Sequence, residues 1–248
     1  MKSYPVIRLD ETTSTNAYLR EHIREHDLPE GAVVMARKQT AGRGQRGAVW
    51  ESAQGENLTF SLFLRPDSLP ANLQFGLLQT VSLAVKKTLD DFTDDISIKW
   101  PNDIYHRDGK ICGILIENNI SGDCLQSSIV GIGMNLNQVV FTGDAPNPVS
   151  LRQITGLRYE PEDMLDNFMR AFFPLYLMLL EERTDGINRA YKSALYRGMD
   201  EFHAYRDAGG FFQARISDIE PAGHLCLQLL DGQIRRYAFK EVIYVAET

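Results

Sequence analysis

Apolar positions along the chain follow two periods. Short apolar or alternating runs predict strands at 4–9, 32–36, 58–64, 96–100, 110–118 and 126–135. Between them, apolar residues three and four apart predict helices. Leu19 and Ile23 share a face after Ser14-Thr15-Asn16, and Pro29 and Gly31 close that segment. Residues 72–89 are amphipathic through Phe75, Leu78, Val85 and Leu89. A second long helix opens at Pro161-Glu162-Asp163 and repeats Leu165, Phe168, Phe172, Leu175 and Leu179, with Pro174 expected to kink it. A last helix ends near Tyr196-Arg197-Gly198. Beyond it come short strands at 212–216, 225–229, 234–239 and 242–245. Ser121-Gly122-Asp123 and Asp231-Gly232 read as hairpin turns. The pattern predicts a mixed α/β domain over 1–197 and a small all-β domain over 198–248.

Composition is that of an ordinary soluble globular protein: 248 residues, 44% hydrophobic and 24% charged. The net charge of −7 argues against a general nucleic-acid coating role. Local exceptions carry more information. Arg37, Lys38, Arg43 and Arg46 lie close together, and Lys99 and Lys110 form a second basic pair. A concentrated basic pocket in an acidic chain points to a small anionic ligand. Cys112, Cys124 and Cys226 are odd in number and lack C-x-x-C spacing, which fits reduced thiols rather than disulfides or a zinc site. The N-terminus lacks a signal-peptide stretch, and the longest apolar run, 175–180, is far short of the ~20 residues that span a membrane. The expected location is the cytoplasm.

The segment from Gln39 to Trp50, QTAGRGQRGAVW, combines three glycines with two arginines. Glycines let backbone N–H groups approach a ligand closely, and arginines add fixed charge, which suits a carboxylate or a phosphate. The string matches G-x-G-x-x-G, but a dinucleotide fingerprint must open a helix and have an acidic residue about 20 positions later. Here the loop runs into the strand pattern at 58–64, so hydride-transfer chemistry is excluded. A second segment reads Lys99-Trp100-Pro101-Asn102-Asp103, followed by Gly109-Lys110-Ile111-Cys112-Gly113. Pro101 ends a strand and holds Asn102 and Asp103 in a turn, and Lys110 starts the returning strand. Amide, carboxylate and lysine together suit a magnesium–nucleotide site, in which the carboxylate holds the metal or takes up a proton.

With Ser14-Thr15-Asn16 before these segments and Val130-Gly131-Ile132-Gly133-Met134-Asn135 after them, the chain resembles the biotin–protein ligases over nearly its whole length. The resemblance implies an α+β fold: a mixed, largely antiparallel central sheet flanked by helices, of the class II synthetase-like type, with an SH3-like C-terminal domain. It implies two steps. Biotin's carboxylate attacks the α-phosphate of ATP, with Mg²⁺ present, to give biotinyl-5′-AMP; a lysine of a biotin carboxyl carrier domain then displaces AMP. Ser14, Thr15, Asn16 and Gln39 match positions that hydrogen-bond biotin. Gly42, Arg43, Gly44 and Gln45 match the loop that holds carboxylate and phosphate, and Trp50, Gly113, Gly131 and Gly133 match pocket walls. Arg43, Arg46, Trp50, Asn102, Lys110, Asn135 and Asn137 match the nucleotide side. Lys110, Arg43 and Asp103 are the implied catalytic set. Asp103 lies near the incoming lysine, and any Mg²⁺ arrives with ATP rather than in a protein cage.

The family loop usually has arginine where this chain has Gln45, so weaker retention of the adenylate is expected. Cys112 stands where alanine is usual. With no winged-helix segment before residue 4, a ligase without DNA binding is expected, and a homodimer built by sheet extension is plausible for the family. Rival readings are a lipoate–protein ligase and a non-catalytic protein that sequesters biotin or an acyl-adenylate. Lys99 reads as a solvated strand-end lysine and Trp100 as a packing residue. His22 and His26 have the spacing of a two-histidine metal face but lack a third ligand, so they read as surface residues.

Overall fold

A computed structural model describes residues 4–67, 69–143 and 145–245, with the side chain of Arg46 left out. Seven strands form the main sheet: β1 (Val6–Thr12), β2 (Val33–Gln39), β3 (Leu58–Leu64), β4 (Ile96–Lys99), β5 (Asp103–His106), β6 (Gly109–Ser121) and β7 (Cys124–Met134). Their order is β1-β2-β3-β7-β6-β5-β4, with β1 and β2 parallel and the remaining neighbours antiparallel. The helices are α1 (Thr15–Glu25), α2 (Phe75–Asp90), α3 (Leu151–Thr155), α4 (Pro161–Leu180) and α5 (Thr184–Ser193). A second sheet holds β8 (His203–Asp207), β9 (Gly210–Ile219), β10 (Leu225–Leu229), β11 (Ile234–Tyr237) and β12 (Ile243–Tyr244), in the order β11-β10-β9-β8-β12. The mixed sheet with flanking helices and the separate all-β sheet are those the sequence led us to expect.

Strand β3 shows why the sheet can carry a polar site. All seven of its residues are buried, because helices or neighbouring segments cover both faces. Leu58, Phe60, Leu62 and Leu64 join the large core formed with α2 and α4, where Phe60 meets Phe168 edge-on at 5.3 Å. Strand alternation sends Thr59, Ser61 and Phe63 to the other face. There Phe63 packs with Leu19 of α1, and Thr59 and Ser61 remain as buried hydroxyls. A buried hydroxyl requires a hydrogen-bonding partner. This is the face on which the site forms.

Three elements escaped the sequence pattern. β5 and β8 have four and five residues, too few to display a period. α3 is a single turn, but Ser150 and Gln153 form a reciprocal capping box and Gly156 closes it at φ +80°, a signal legible in S-x-x-Q followed by glycine. Asp103, expected in a turn, is instead the first residue of β5, paired with Lys99 across the β4–β5 hairpin. α4 remains helical through Pro174, because the missing N–H does not stop the surrounding helix from packing its apolar face. Arg197 and Gly198, both left-handed at φ +68° and +57°, carry the chain toward the second sheet. The two sheets then share one core: Tyr205, Ile216, Leu225 and Leu227 belong to the same cluster as α2 and α4. Trp100 links them further, stacking edge-on with Phe239 at 5.3 Å and donating Nε1–H to the Gly223 carbonyl at 2.9 Å.

Candidate active site

A cavity of about 550 Å³ lies between the main sheet, the glycine–arginine loop and the second sheet. Its floor is a lattice of glycines. β6 and β7 pair Gly113 with Gly133 and Leu115 with Gly131. A Cβ on Gly133 would stand 2.3 Å from the Trp50 indole, and one on Gly131 would stand 2.3 Å from Asn16 Oδ1. The missing side chains therefore make room for Trp50 and Asn16 to lie directly on the sheet.

One end of the cavity is polar and buried. Ser14, Thr15 and Asn16 enter α1 with 3%, 3% and 4% exposure. Gln39 Oε1 accepts from the Thr15 backbone N–H at 2.9 Å and lies 3.2 Å from its hydroxyl. Ser61 Oγ donates to Asn16 Oδ1 at 2.5 Å and lies 2.8 Å from Thr15 Oγ1. Asn16 Nδ2 donates to Glu117 Oε2 at 2.8 Å, and Arg20 pairs with the other oxygen of Glu117. Ser14 occupies the N-cap position of α1, yet its side chain makes no capping bond. The hydroxyl at the start of the helix is thus left for something in the cavity. Ser61 and Glu117 were not singled out from sequence. Only the strand alternation of β3 and β6 could have suggested them.

The other end is charged. Lys110 Nζ pairs with Asp103 Oδ1 at 2.6 Å, with both side chains largely buried, and lies 5.9 Å from the Trp50 ring centre. The β5–β6 hairpin makes this pair. Asp103 begins β5 and Lys110 lies near the start of β6, and the register shift after Ile104 pairs Lys110 with Tyr105, on the same face as Asp103. Arg43 closes the loop through a backbone bridge to Val49 and lines the cavity, with no carboxylate partner among the described residues. An unpaired guanidinium, a lysine and a carboxylate at one mouth can hold an anion and manage a proton.

Among the expected site residues, Ser14, Thr15, Asn16, Gln39, Arg43, Gly44, Gln45, Trp50, Asn102, Asp103, Lys110, Gly113, Gly131 and Gly133 all line this cavity. Three described residues do not join them. Gly42 is buried just behind the loop, where its carbonyl accepts from Trp50 N–H at 3.0 Å and a Cβ would come within 2.5 Å of the Trp50 carbonyl. Asn137 spends its amide on the Tyr159 backbone, donating at 2.8 Å and accepting at 2.9 Å. Asn135 donates to the Lys110 and Val149 carbonyls, holding β6 against the segment before α3. Asn135 and Asn137 thus stay behind the wall, because loop carbonyls and N–H groups recruit them. The side chain of Arg46 lies outside the described residues. Of the remaining basic cluster, Lys38 pairs with Glu11 at 2.6 Å and Arg37 lies with Arg8 and Glu162 in a separate pocket, so neither lines the cavity.

Lys99 corrects the expectation of a solvated lysine. Its Nζ donates to Tyr105 Oη at 3.0 Å and lies 4.6, 5.3 and 5.8 Å from the ring centres of Tyr105, Tyr244 and Tyr196. Burial in this cage pushes the lysine pKa below its ordinary value, against the attraction of Asp103. Lys99 and Tyr244 line both the main cavity and a second one of about 390 Å³. Phe239 and Lys240, in the connection between β11 and β12, also reach the main cavity. None of these long-range meetings has a sequence signal. Cys112, within β6, is fully buried, and burial pushes its thiol pKa up, so it packs rather than reacts. His22 and His26 stack at 4.1 Å on α1, and no group of three metal-binding side chains occurs among the described residues.

Beside the wall, Glu51 organises the segment after β7. Its carboxylate accepts from the backbone N–H groups of Thr142 at 3.1 Å and Gly143 at 2.5 Å, and from Gln138 Nε2 at 3.0 Å. Desolvation opposes the charged form, but these donors outweigh it and hold the Glu51 pKa below the ordinary carboxylate value.

Comparison with known proteins agrees with this geometry. Residues 7–135 match the model of the biotin/lipoate A/B protein ligase family. The bifunctional ligase/repressor BirA of Bacillus spizizenii is 31% identical over 241 residues, covering 94% of this chain and 72% of that protein. The biotin–[acetyl-CoA-carboxylase] ligase of Paracoccus denitrificans is 38% identical over 176 residues, covering 66% of this chain and 70% of that one. Among solved structures, the biotin protein ligase from Aquifex aeolicus in complex with biotin and ATP superposes with a TM-score of 0.79 at 26% identity, covering 97% of this chain and 99% of the other. Family model, sequence relatives and three-dimensional likeness converge: this chain belongs to the biotin/lipoate A/B protein ligase family.

Proposed function

We infer that the protein is a biotin–protein ligase, which activates biotin with ATP and transfers it to a lysine of a biotin carboxyl carrier domain. One observation carries this: a buried hydrogen-bonding end built from Ser14, Thr15, Asn16 and Gln39 opens into a mouth holding Arg43, Lys110 and Asp103. A ureido ring needs both donors and acceptors, which the polar end offers. A lipoyl dithiolane has neither, and would leave buried polar groups unpaired. That chemistry favours biotin over lipoate, and the relatives that bear biotin-ligase names agree.

In the first step a biotin carboxylate oxygen attacks the α-phosphorus of ATP and pyrophosphate leaves. Two anions must meet, and Arg43 and Lys110 reduce their repulsion in place of water. Magnesium would enter as part of the nucleotide substrate, and Asp103, the one carboxylate lining the cavity among the described residues, would be the protein group to meet it. In the second step the acceptor amine attacks the acyl carbon, AMP leaves, and the amine proton must be taken up. Asp103 is poised for that role. Its Oδ1 is held by Lys110, and its other oxygen makes no hydrogen bond among the described residues. A charged phosphate-handling set is unnecessary for mere storage, which weighs against a sequestering protein.

The reading has no DNA or membrane component. Net charge is −7, and no helix among the described residues is long and apolar enough to cross a membrane. Three free thiols fit a reducing compartment such as the cytoplasm. A homodimer by sheet extension would use β1, since β4 is bridged at its open side by Leu195. The charged Arg8, Asp10 and Glu11 on β1 resist such pairing. Biotin-dependent ATP–pyrophosphate exchange tests the central claim. Exchange with biotin and not with lipoate is expected, and exchange with neither would refute it.

A further inference from the structure

The loop lacks an arginine at Gln45, yet the cavity has a cation at that place. Lys240, in the connection between β11 and β12, lines the cavity and donates Nζ–H to the Gln45 carbonyl at 3.0 Å. Its charge is not neutralised: no carboxylate lies in ion-pair range among the described residues. A carbonyl occupies one of the three ammonium donors, leaving two for an anion in the cavity. The next residue, Glu241, turns its carboxylate the other way, accepting from the Ala238 N–H at 2.7 Å. Lys240 also sits at φ +68°, a conformation that suits glycine far better, so the position carries a lysine against its backbone preference. Its neighbour Phe239 is anchored between Trp100 at 5.3 Å and Phe75 at 6.3 Å, which fixes the root of the lysine on the core.

We propose that Lys240 supplies the second cation of the adenylate-holding loop in place of the side chain at Gln45, making the second sheet part of the binding site. This rests on the ligase reading. A cation delivered from another sheet does two things that a loop arginine cannot. It ties the loop to the second sheet through the Gln45 carbonyl, and it places charge at the mouth only while the loop is closed on Lys240. Adenylate retention then depends on contact between the two elements.

The test compares the release rate of biotinyl-AMP from the intact wild-type protein, Lys240→Gly, Lys240→Arg and the double variant Lys240→Gly/Gln45→Arg. The glycine variant removes the amine at a left-handed position where glycine is unstrained, so folding is preserved and a matching melting curve verifies it. Release should quicken about three- to tenfold in Lys240→Gly and become less sensitive to salt. It should stay near the wild-type rate in Lys240→Arg and recover substantially in the double variant. Gln45→Arg alone should slow release much less than it does in the Lys240→Gly background. Unchanged release and unchanged salt dependence in Lys240→Gly would overturn the proposal. So would an equal effect of Gln45→Arg in both backgrounds. Biotin-dependent pyrophosphate exchange in the wild-type protein separates the two failures: without it the ligase reading falls, and with it only the assignment of Lys240 does.

Discussion

Gly131 and Gly133 lie two residues apart on one face of β7, and adding a methyl group to each should have different consequences. At Gly131 the new Cβ would meet Asn16 Oδ1 at 2.3 Å. Asn16 is 4% exposed and tied to Ser61 and Glu117, so it cannot swing into solvent. Overpacking there costs about 1–3 kcal/mol. Displacing the Asn16 amide from its partners adds about 1–3 kcal/mol. Restricting the unfolded chain returns about 0.5–1 kcal/mol. The net loss centres near 3 kcal/mol, or roughly 6–12 °C in Tm for a chain of this size. At Gly133 the Cβ would meet Trp50 at 2.3 Å, but Trp50 is half-buried at the end of a loop held by one short backbone bridge and the Lys240–Gln45 contact. The indole can move outward, so stability should change by less than about 1 kcal/mol, mostly offset by the same unfolded-state gain. Losing the wall should still weaken biotin binding at least about tenfold. Thermal melts, biotin titration calorimetry and tryptophan emission read out all three effects. Emission should shift to the red only in Gly133→Ala, since Trp100, the other tryptophan, stays buried. A Gly131→Ala protein melting within about 2 °C of wild type, or equal destabilisation by both changes, would refute the reasoning.

Lys110→Ala should lower both partial reactions by about 10²–10³-fold, because it removes the cation facing both anions and releases Asp103; exchange and single-turnover transfer assays measure each step. Asp103→Asn should retain most adenylate formation while slowing transfer to the carrier lysine by about 10²-fold or more if it takes up the amine proton; equal loss in both steps would assign it to positioning alone. For Glu51, the folded pKa is depressed, so its contribution is present above the ordinary carboxylate pKa and is lost as pH falls through the lower folded value. Amide-exchange protection at Gly143, corrected for intrinsic rates, should therefore hold from neutrality to mild acid and collapse only below the ordinary carboxylate range. Glu51→Gln should lose part of it near neutrality and show no such acid transition.

Strand and helix positions were legible wherever a period had room to repeat: β3 at 58–64 and β10 at 225–229 begin and end where the apolar run does. The loop chemistry was legible too, since glycine and arginine act through local backbone and charge. Arg43, Asp103 and Lys110 could be named from local residue types, whereas Ser14 and Asn16, which alone read as a helix start, could be named only through the resemblance to the biotin–protein ligases. The tertiary structure decided which of the named residues face a common space. Asn135 and Asn137 carry suitable amides, yet hydrogen bonds to the Lys110, Val149 and Tyr159 backbone hold them behind the wall. Lys99 gave no sign of its tyrosine cage, and Lys240 none of its contact with Gln45, 195 positions away. Periodicity and motif spacing reflect interactions among neighbours along the chain. A charge delivered from one sheet to a loop on another depends on how two faces pack, and that is settled only when the core they share is formed.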